Sequence, residues 1–163
     1  MTSMKPVIII CGPTATGKSA LAVEIAKLVH GEIISADSKQ IYKGLDIGTG
    51  KITKDEMKDI PHYMLDLIDV EQTFSVSDYK ERALPIIEDI VSRGKLPIIC
   101  GGTGQYIDAL IYEDTFAQVK PNEALRKQLE SKSTDDLFDE LQKKDVVRAK
   151  EIDRHNRVRL IRS

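Results

Sequence analysis

No stretch of the chain is apolar for long enough to cross a membrane as a helix, which takes about 20 residues. A membrane partner is therefore not expected. The opening residues, Met1-Thr2-Ser3-Met4-Lys5-Pro6, run straight into an apolar segment. That leaves no room for a secretory signal, so a cytoplasmic location is the expectation. Cysteine is scarce. Cys11 and Cys100 each end an apolar run, and neither belongs to a metal-spaced pair, so both read as small core residues. His62 also lacks a metal-spaced companion and reads as structural. There is no internal repeat and no low-complexity tract. What remains is 163 residues at 41% hydrophobic and 31% charged, the composition of a folded globular chain rather than a disordered one. The length fits one domain with a small appendage.

The most informative stretch is Gly12-Pro13-Thr14-Ala15-Thr16-Gly17-Lys18-Ser19, which has the form G-x-x-x-x-G-K-[ST]. Glycines let the backbone curl until several N–H groups aim at one point, a cradle for anionic oxygens. A helix beginning behind the loop adds roughly half a positive charge. Lys18 adds a full one, and the Ser19 hydroxyl can ligate a Mg²⁺ that bridges phosphate oxygens. The flanks agree. Val7-Ile8-Ile9-Ile10 is the unbroken apolar run of a buried parallel strand. Leu21, Ile25 and Leu28 recur behind the loop at helical spacing, with Ala22, Ala26 and Val29 beside them. This predicts a di- or triphosphate site of the nucleotide-binding or ATP-binding kind. It does not name a reaction.

Further strands are predicted at residues 32–36, 63–68 and 96–100, with glycine-rich loop from Gly44 to Gly50. Ser75 and Asp78 make a capping box. The helix they open carries Val76, Tyr79, Ala83, Ile86, Ile87 and Ile90 on its inner side. Pro85 is expected to kink or split it, and Gly94 to end it. Gly101-Gly102-Thr103-Gly104 turns into a short helix reaching Leu110. From Tyr112 onward the pattern becomes short charged helices, near 122–132, 134–143, 145–151 and 155–162. Strands alternate with helices only as far as residue 111. The expected fold class is therefore α/β: a parallel sheet with flanking helices, like that of P-loop-containing nucleoside triphosphate hydrolases, plus a C-terminal helical segment. In such sheets ligands sit beyond the carboxyl ends of the strands, where residues 12–19, Asp37 and Thr103 all fall.

Charge is unevenly placed. Residues 143–163 hold eight basic groups and three acidic ones, +5 locally against −7 over residues 1–142. Such asymmetry suggests a nucleic-acid contact at the C-terminal end, although a solvated helix face is equally compatible with it.

The run Asp37-Ser38-Lys39-Gln40-Ile41-Tyr42-Lys43-Gly44-Leu45-Asp46-Ile47-Gly48-Thr49 sharpens the reading. With the loop at 12–19, with Pro61-His62 before a strand, and with Pro97 through Tyr106 in the form P-[IV]-x-x-G-G-T-G-x-Y, it resembles the tRNA dimethylallyltransferase (tRNA isopentenyltransferase) family. The likeness covers most of residues 5–111. Gly50 stands where the family usually has Ala, Tyr63 where it has a second His, and Gln105 where it has an apolar residue. Asn156 through Arg162 resembles the family's R-[VIL]-x-R-A-L region. Relatives continue well past that point, so the chain looks C-terminally truncated. The division this implies is a core over 1–111 and a helical, RNA-contacting segment over 112–163.

The resemblance implies transfer of a dimethylallyl group from dimethylallyl diphosphate to N6 of an adenosine beside the anticodon, on a tRNA anticodon stem-loop. It carries over residues 12–19 as the diphosphate-binding loop, Mg²⁺ as cofactor with Ser19 as ligand, and Asp37 and Thr103 as catalytic. It carries over Asp37, Ser38, Lys39, Gln40, Thr103, Arg126, Val158, Arg159, Leu160, Ile161 and Arg162 as tRNA contacts. A monomer is expected. Asp37 is the candidate base, Ser38 and Gln40 could read the adenine edge, and the base must leave its stack to enter. Asp66 could support the metal or serve a core hydrogen bond. Two other readings use the same residues. One is a small-molecule or nucleotide kinase, which the absence of a Walker-B-type Asp after Ile98-Ile99-Cys100 opposes. The other is an RNA-binding fragment without catalysis.

Overall fold

In the computed structural model the described residues are 6–112 and 122–163. The chain divides into two compact units, Met1–Ala117 and Gln118–Ser163. The change of character expected at Tyr112 borders residues 113–121, which lie outside the described ones.

The first unit is built on four strands, β1 (Ile8–Cys11), β2 (Gly31–Ser35), β3 (His62–Tyr63) and β4 (Leu96–Gly101), in the order β1-β4-β2-β3. Every pairing is parallel. Parallel neighbours need long crossovers, and helices provide them. Helix α1 (Lys18–Val29) joins β1 to β2. The short α2 (Lys54–Met57) precedes β3, α3 (Val76–Ser92) joins β3 to β4, and α4 (Gly104–Ile111) follows β4.

Side chains alternate across the sheet and so feed two cores. Ile10, Ile33, Ile98 and Cys100 meet Ala22, Val23 and Ala26 of α1. On the opposite face Ile34 and Ile99 meet Tyr79, Ala83 and Ile90 of α3 and Tyr106 and Ile107 of α4. There the Tyr79 and Tyr106 rings stack with centroids 4.0 Å apart.

Three local expectations are corrected. The face of α1 is not the leucine stripe, since Leu21 and Leu28 are 53% and 82% exposed while Ala22 and Ala26 are fully buried. Small residues let the helix backbone lie close to the sheet, and that contact decides which side turns inward. The third strand is only two residues long, because Met64 and Asp66 adopt φ of +63° and +52°, outside any strand conformation. Helix α3 is not split at Pro85 but runs through it. Proline removes one amide donor on the exposed side there, and burial of Tyr79, Ala83 and Ile90 along the other side outweighs that loss. The capping box stands as expected, with Ser75 Oγ accepting from the Asp78 amide at 3.2 Å and Asp78 Oδ2 accepting from the Ser75 amide at 2.8 Å.

The second unit contains α5 (Glu123–Glu130), α6 (Thr134–Lys144), α7 (Val146–Glu151) and α8 (Arg157–Arg162). Asn122, Ser133, Asp145 and Asn156 each cap one helix by accepting a first-turn amide. The core of this unit is small: Leu137, Leu141, Ala149 and Leu160.

Candidate functional site

At the carboxyl end of β1 the chain curls through residues 12–17 into α1. Ala15 at φ +63° and Gly17 at φ +79° make the curl. Gly17 caps the helix in the left-handed region, where glycine carries no Cβ penalty. The Thr16 hydroxyl donates to the Pro13 carbonyl at 2.9 Å, and Lys18 Nζ donates to the same carbonyl. The first turn of α1 holds no acidic residue, so nothing there cancels the positive helix end or the Lys18 ammonium.

Asp37 arrives from the neighbouring strand. Beyond β2, the Ala36 amide donates to the Cys100 carbonyl at 2.8 Å, and the Thr103 amide donates back to the Ala36 carbonyl at 3.0 Å. The approach is so close that a Cβ on Gly101 would sit 2.2 Å from the Ala36 oxygen. Asp37 then opens a tight turn. Its Oδ1 accepts from the Lys39 amide at 2.8 Å and from the Gln40 amide at 3.4 Å. Its Oδ2 has no hydrogen-bond partner among the described residues. The carboxylate is thus oriented by one oxygen and available through the other.

Both halves line one cavity of about 250 Å³. Residues 14–19 line it together with Asp37, Gln40, Cys100 and Gly101. Of the residues singled out from sequence, Gly12, Pro13, Ser38, Lys39 and Thr103 are not part of its lining. Thr103 acts at one remove: its Oγ1 accepts from the Ser38 amide at 2.9 Å and so braces the Asp37 turn across 65 residues of sequence. The Gln40 amide is engaged at both ends, Nε2 donating to the Thr49 carbonyl at 3.2 Å and Oε1 accepting from Ser35 Oγ at 3.3 Å. Burial pushes the Cys100 thiol up to about 11 against the opposing pull of Lys18, so it stays a neutral thiol in the wall.

Thr49, Gly50 and Ala20 line the cavity without having been singled out. The motif containing Thr49 and Gly50 was visible in the sequence, but which of its residues turn inward was not. Asp66 pairs with Lys51, at 2.5 Å, rather than facing the cavity. His62 Nδ1 lies 2.8 Å from the Ile60 carbonyl, and burial holds its pKa below the usual imidazole range. The Ser19 hydroxyl lines the cavity, and such an oxygen suits a hard divalent cation, since Mg²⁺ commonly takes one or two protein oxygens and completes its shell with phosphate and water.

In the second unit Arg126 is exposed on α5. On α8, Val158, Arg159 and Arg162 are exposed, Ile161 is half-buried, and Leu160 packs into the core of that unit. The inward side of a helix this short is fixed by its single core residue, so Leu160 has no side-chain surface to offer RNA. Arg159 and Arg162 form no ion pair among the described residues.

A family model described as IPP transferase matches residues 40–163. The chain is 47% identical to the tRNA dimethylallyltransferase of Caldanaerobacter subterraneus subsp. tengcongensis, over 96% of this chain and 51% of that protein. It is equally identical to that of Staphylococcus carnosus, over 100% of this chain and 54% of that one. The chain thus spans about half the length of the curated relatives it matches. Among solved structures, the full-length tRNA isopentenylpyrophosphate transferase of Bacillus halodurans is 41% identical with a TM-score of 0.68, covering 97% of this chain and 54% of that one. A eukaryotic dimethylallyltransferase acting on tRNA is 31% identical with a TM-score of 0.88, covering 97% and 40%.

Proposed function

The chain belongs to the IPP transferase family, and on that premise we propose that it serves transfer of a dimethylallyl group from dimethylallyl diphosphate to N6 of an adenosine beside the tRNA anticodon. The observation carrying this is that the loop at 14–19 and Asp37 line one cavity. An anion cradle and a carboxylate across one small space suit an allyl carbon passing from a diphosphate to a nitrogen.

Adenine N6 is a poor nucleophile because its lone pair is delocalised into the ring. Asp37 Oδ2 accepts a hydrogen bond from N6–H, raises the electron density on nitrogen, and takes the proton as the C–N bond forms. The allylic C–O bond breaks in the same exchange, and its electron pair leaves with the diphosphate. Negative charge growing there meets the loop amides, the α1 terminus and Lys18, all fixed before the reaction begins. Ser19 would be the residue to hold a Mg²⁺, which would supply further charge neutralisation at the diphosphate. Holding Asp37 Oδ1 on two amides keeps the other oxygen in place, and Thr103 secures the turn. Arg126, Arg159 and Arg162 would contribute phosphate contacts that position the RNA without reading its sequence.

The test is prenylation of an anticodon stem-loop RNA by this chain and by a C-terminally extended form. Asp37→Ala should abolish transfer while changing pyrophosphate affinity by no more than about threefold, since the charge-assisted contacts to the anion lie elsewhere. Undiminished turnover in the variant would remove Asp37 from its role. Phosphate transfer from ATP without allyl transfer would replace the reading with a kinase.

A further inference from the structure

We propose that Lys51 is the positioning residue for the adenosine side of the cavity; this rests on the function proposed above. Its side chain is 5% exposed, and its ammonium has three acceptors. Nζ donates to Asp46 Oδ1 at 2.8 Å, to Asp66 Oδ1 at 2.5 Å and to the Tyr42 carbonyl at 2.8 Å. Lysine has three ammonium protons, and all three are used.

Two of those acceptors, Asp46 and Asp66, lie on the two segments that hold Gln40. The first is the loop through Ile47–Thr49, which ends at Gly50 in the left-handed region with φ +57°. Its Thr49 carbonyl takes the Gln40 side-chain amide. The second segment contains Asp66, whose amide donates to the Gln40 backbone carbonyl at 3.2 Å. Met64 and Asp66 are non-glycine residues at positive φ, a conformation that persists only where neighbours enforce it. Lys51 bridges Asp46 on the first segment to Asp66 on the second and so clamps Gln40 from both sides. Gln40 in turn gives its own amide to Asp37 Oδ1. Among the described residues no hydrogen bond links this assembly to residues 12–19. The hydrogen bonds of the clamp therefore act on the carboxylate side of the cavity.

Lys51→Met keeps the stem and removes the charge. Asp46 and Asp66 are 63% and 50% exposed, so neither is left as a buried lone charge. Single-turnover allyl transfer should fall by about tenfold or more, because misplacing a reacting group by a fraction of an ångström has that effect. The KM for dimethylallyl diphosphate and the Kd for magnesium pyrophosphate should stay within about threefold of wild type, the anion cradle being separate. Amide hydrogen exchange over residues 45–50 should accelerate roughly tenfold while β1 and β4 are unchanged. Asp66→Asn should move each readout in the same direction by less. Transfer within twofold of wild type would overturn the proposal, and so would pyrophosphate affinity falling in step with transfer, which signals general loosening. If the wild-type chain, extended or not, transfers no allyl group, the functional reading fails by itself. Lys51 is then judged on exchange and pyrophosphate binding: faster exchange over 45–50 with intact binding supports the clamp, and unchanged exchange overturns it.

Discussion

Glu32 offers the sharpest test of how this sheet is held together. It lies in β2, 1% exposed, at the end of the strand away from Asp37. Arg93 grips it with two bonds of 2.6 and 2.7 Å, Lys95 Nζ donates at 2.5 Å, and the Tyr63 hydroxyl donates at 2.8 Å. The cluster ties β2 to β3 and to the turn between α3 and β4. The Arg93 guanidinium, helped by Lys95 and Tyr63 against the opposing effect of burial, lowers the Glu32 carboxyl from 4.5 to about 2. A depression of that size corresponds to about 3 kcal/mol of stability. The sign follows from which state binds the proton more tightly. The unfolded chain protonates Glu32 near its ordinary value, the folded chain only near 2. The contribution is whole above about pH 4.5 and is lost as pH falls towards 2.

Glu32→Gln should therefore cost about 2–3 kcal/mol at pH 7, the lower side of the range for breaking a buried pair, because Arg93 and Lys95 can still reach water. For a unit of this size that is a fall in melting temperature of roughly 10 °C. Thermal unfolding followed by circular dichroism, wild type against variant from pH 7 down to 2, reads both effects. The two melting curves should converge as the pH drops, since every other carboxylate is common to both proteins. A variant melting within about 2 °C of wild type at pH 7 would refute the reasoning. So would a gap that stays constant down to pH 2.

Three further predictions concern the site and the helical unit. Lys18→Ala should weaken pyrophosphate binding by about 10- to 100-fold in a calorimetric titration, the worth of a lost charge-assisted contact. Gly101→Ala places a Cβ 2.2 Å from a backbone oxygen that cannot swing aside. It should lower stability by about 1–3 kcal/mol in denaturant unfolding and displace the Asp37 turn. Replacing Arg159 and Arg162 by Gln should reduce the slope of log affinity for stem-loop RNA against log salt by about 1 to 2, and an unchanged slope would mean that neither touches a phosphate.

Much of this was legible without coordinates, because it depends on short stretches of chain. The curl at 12–19, the Ser75 capping box and the helix that Gly94 ends are each settled by residues a few positions apart. The family likeness worked for the same reason, being carried by compact motifs. The misreadings share one physical origin. In α1, leucines and alanines both recur at helical spacing, and only the sheet decides that the small residues turn inward. In the segment after His62, apolar composition suggests a long strand, yet Met64 and Asp66 leave the extended conformation, and Asp66 meets Gln40 and Lys51. At Pro85, local propensity favours a break and packing overrules it.

By itself, then, the sequence determined the strand–loop–helix unit that carries residues 12–19, and it singled out Asp37 as the candidate carboxylate. Only the tertiary structure decided that the two share one cavity, that Thr103 braces the Asp37 turn rather than lining the wall, and that Lys51 and Glu32 are hubs. The reason is distance along the chain. A charge and its acceptors 9, 15, 61 or 63 residues apart leave no periodicity to read. They become partners only once the parallel sheet has folded and set its strand ends side by side.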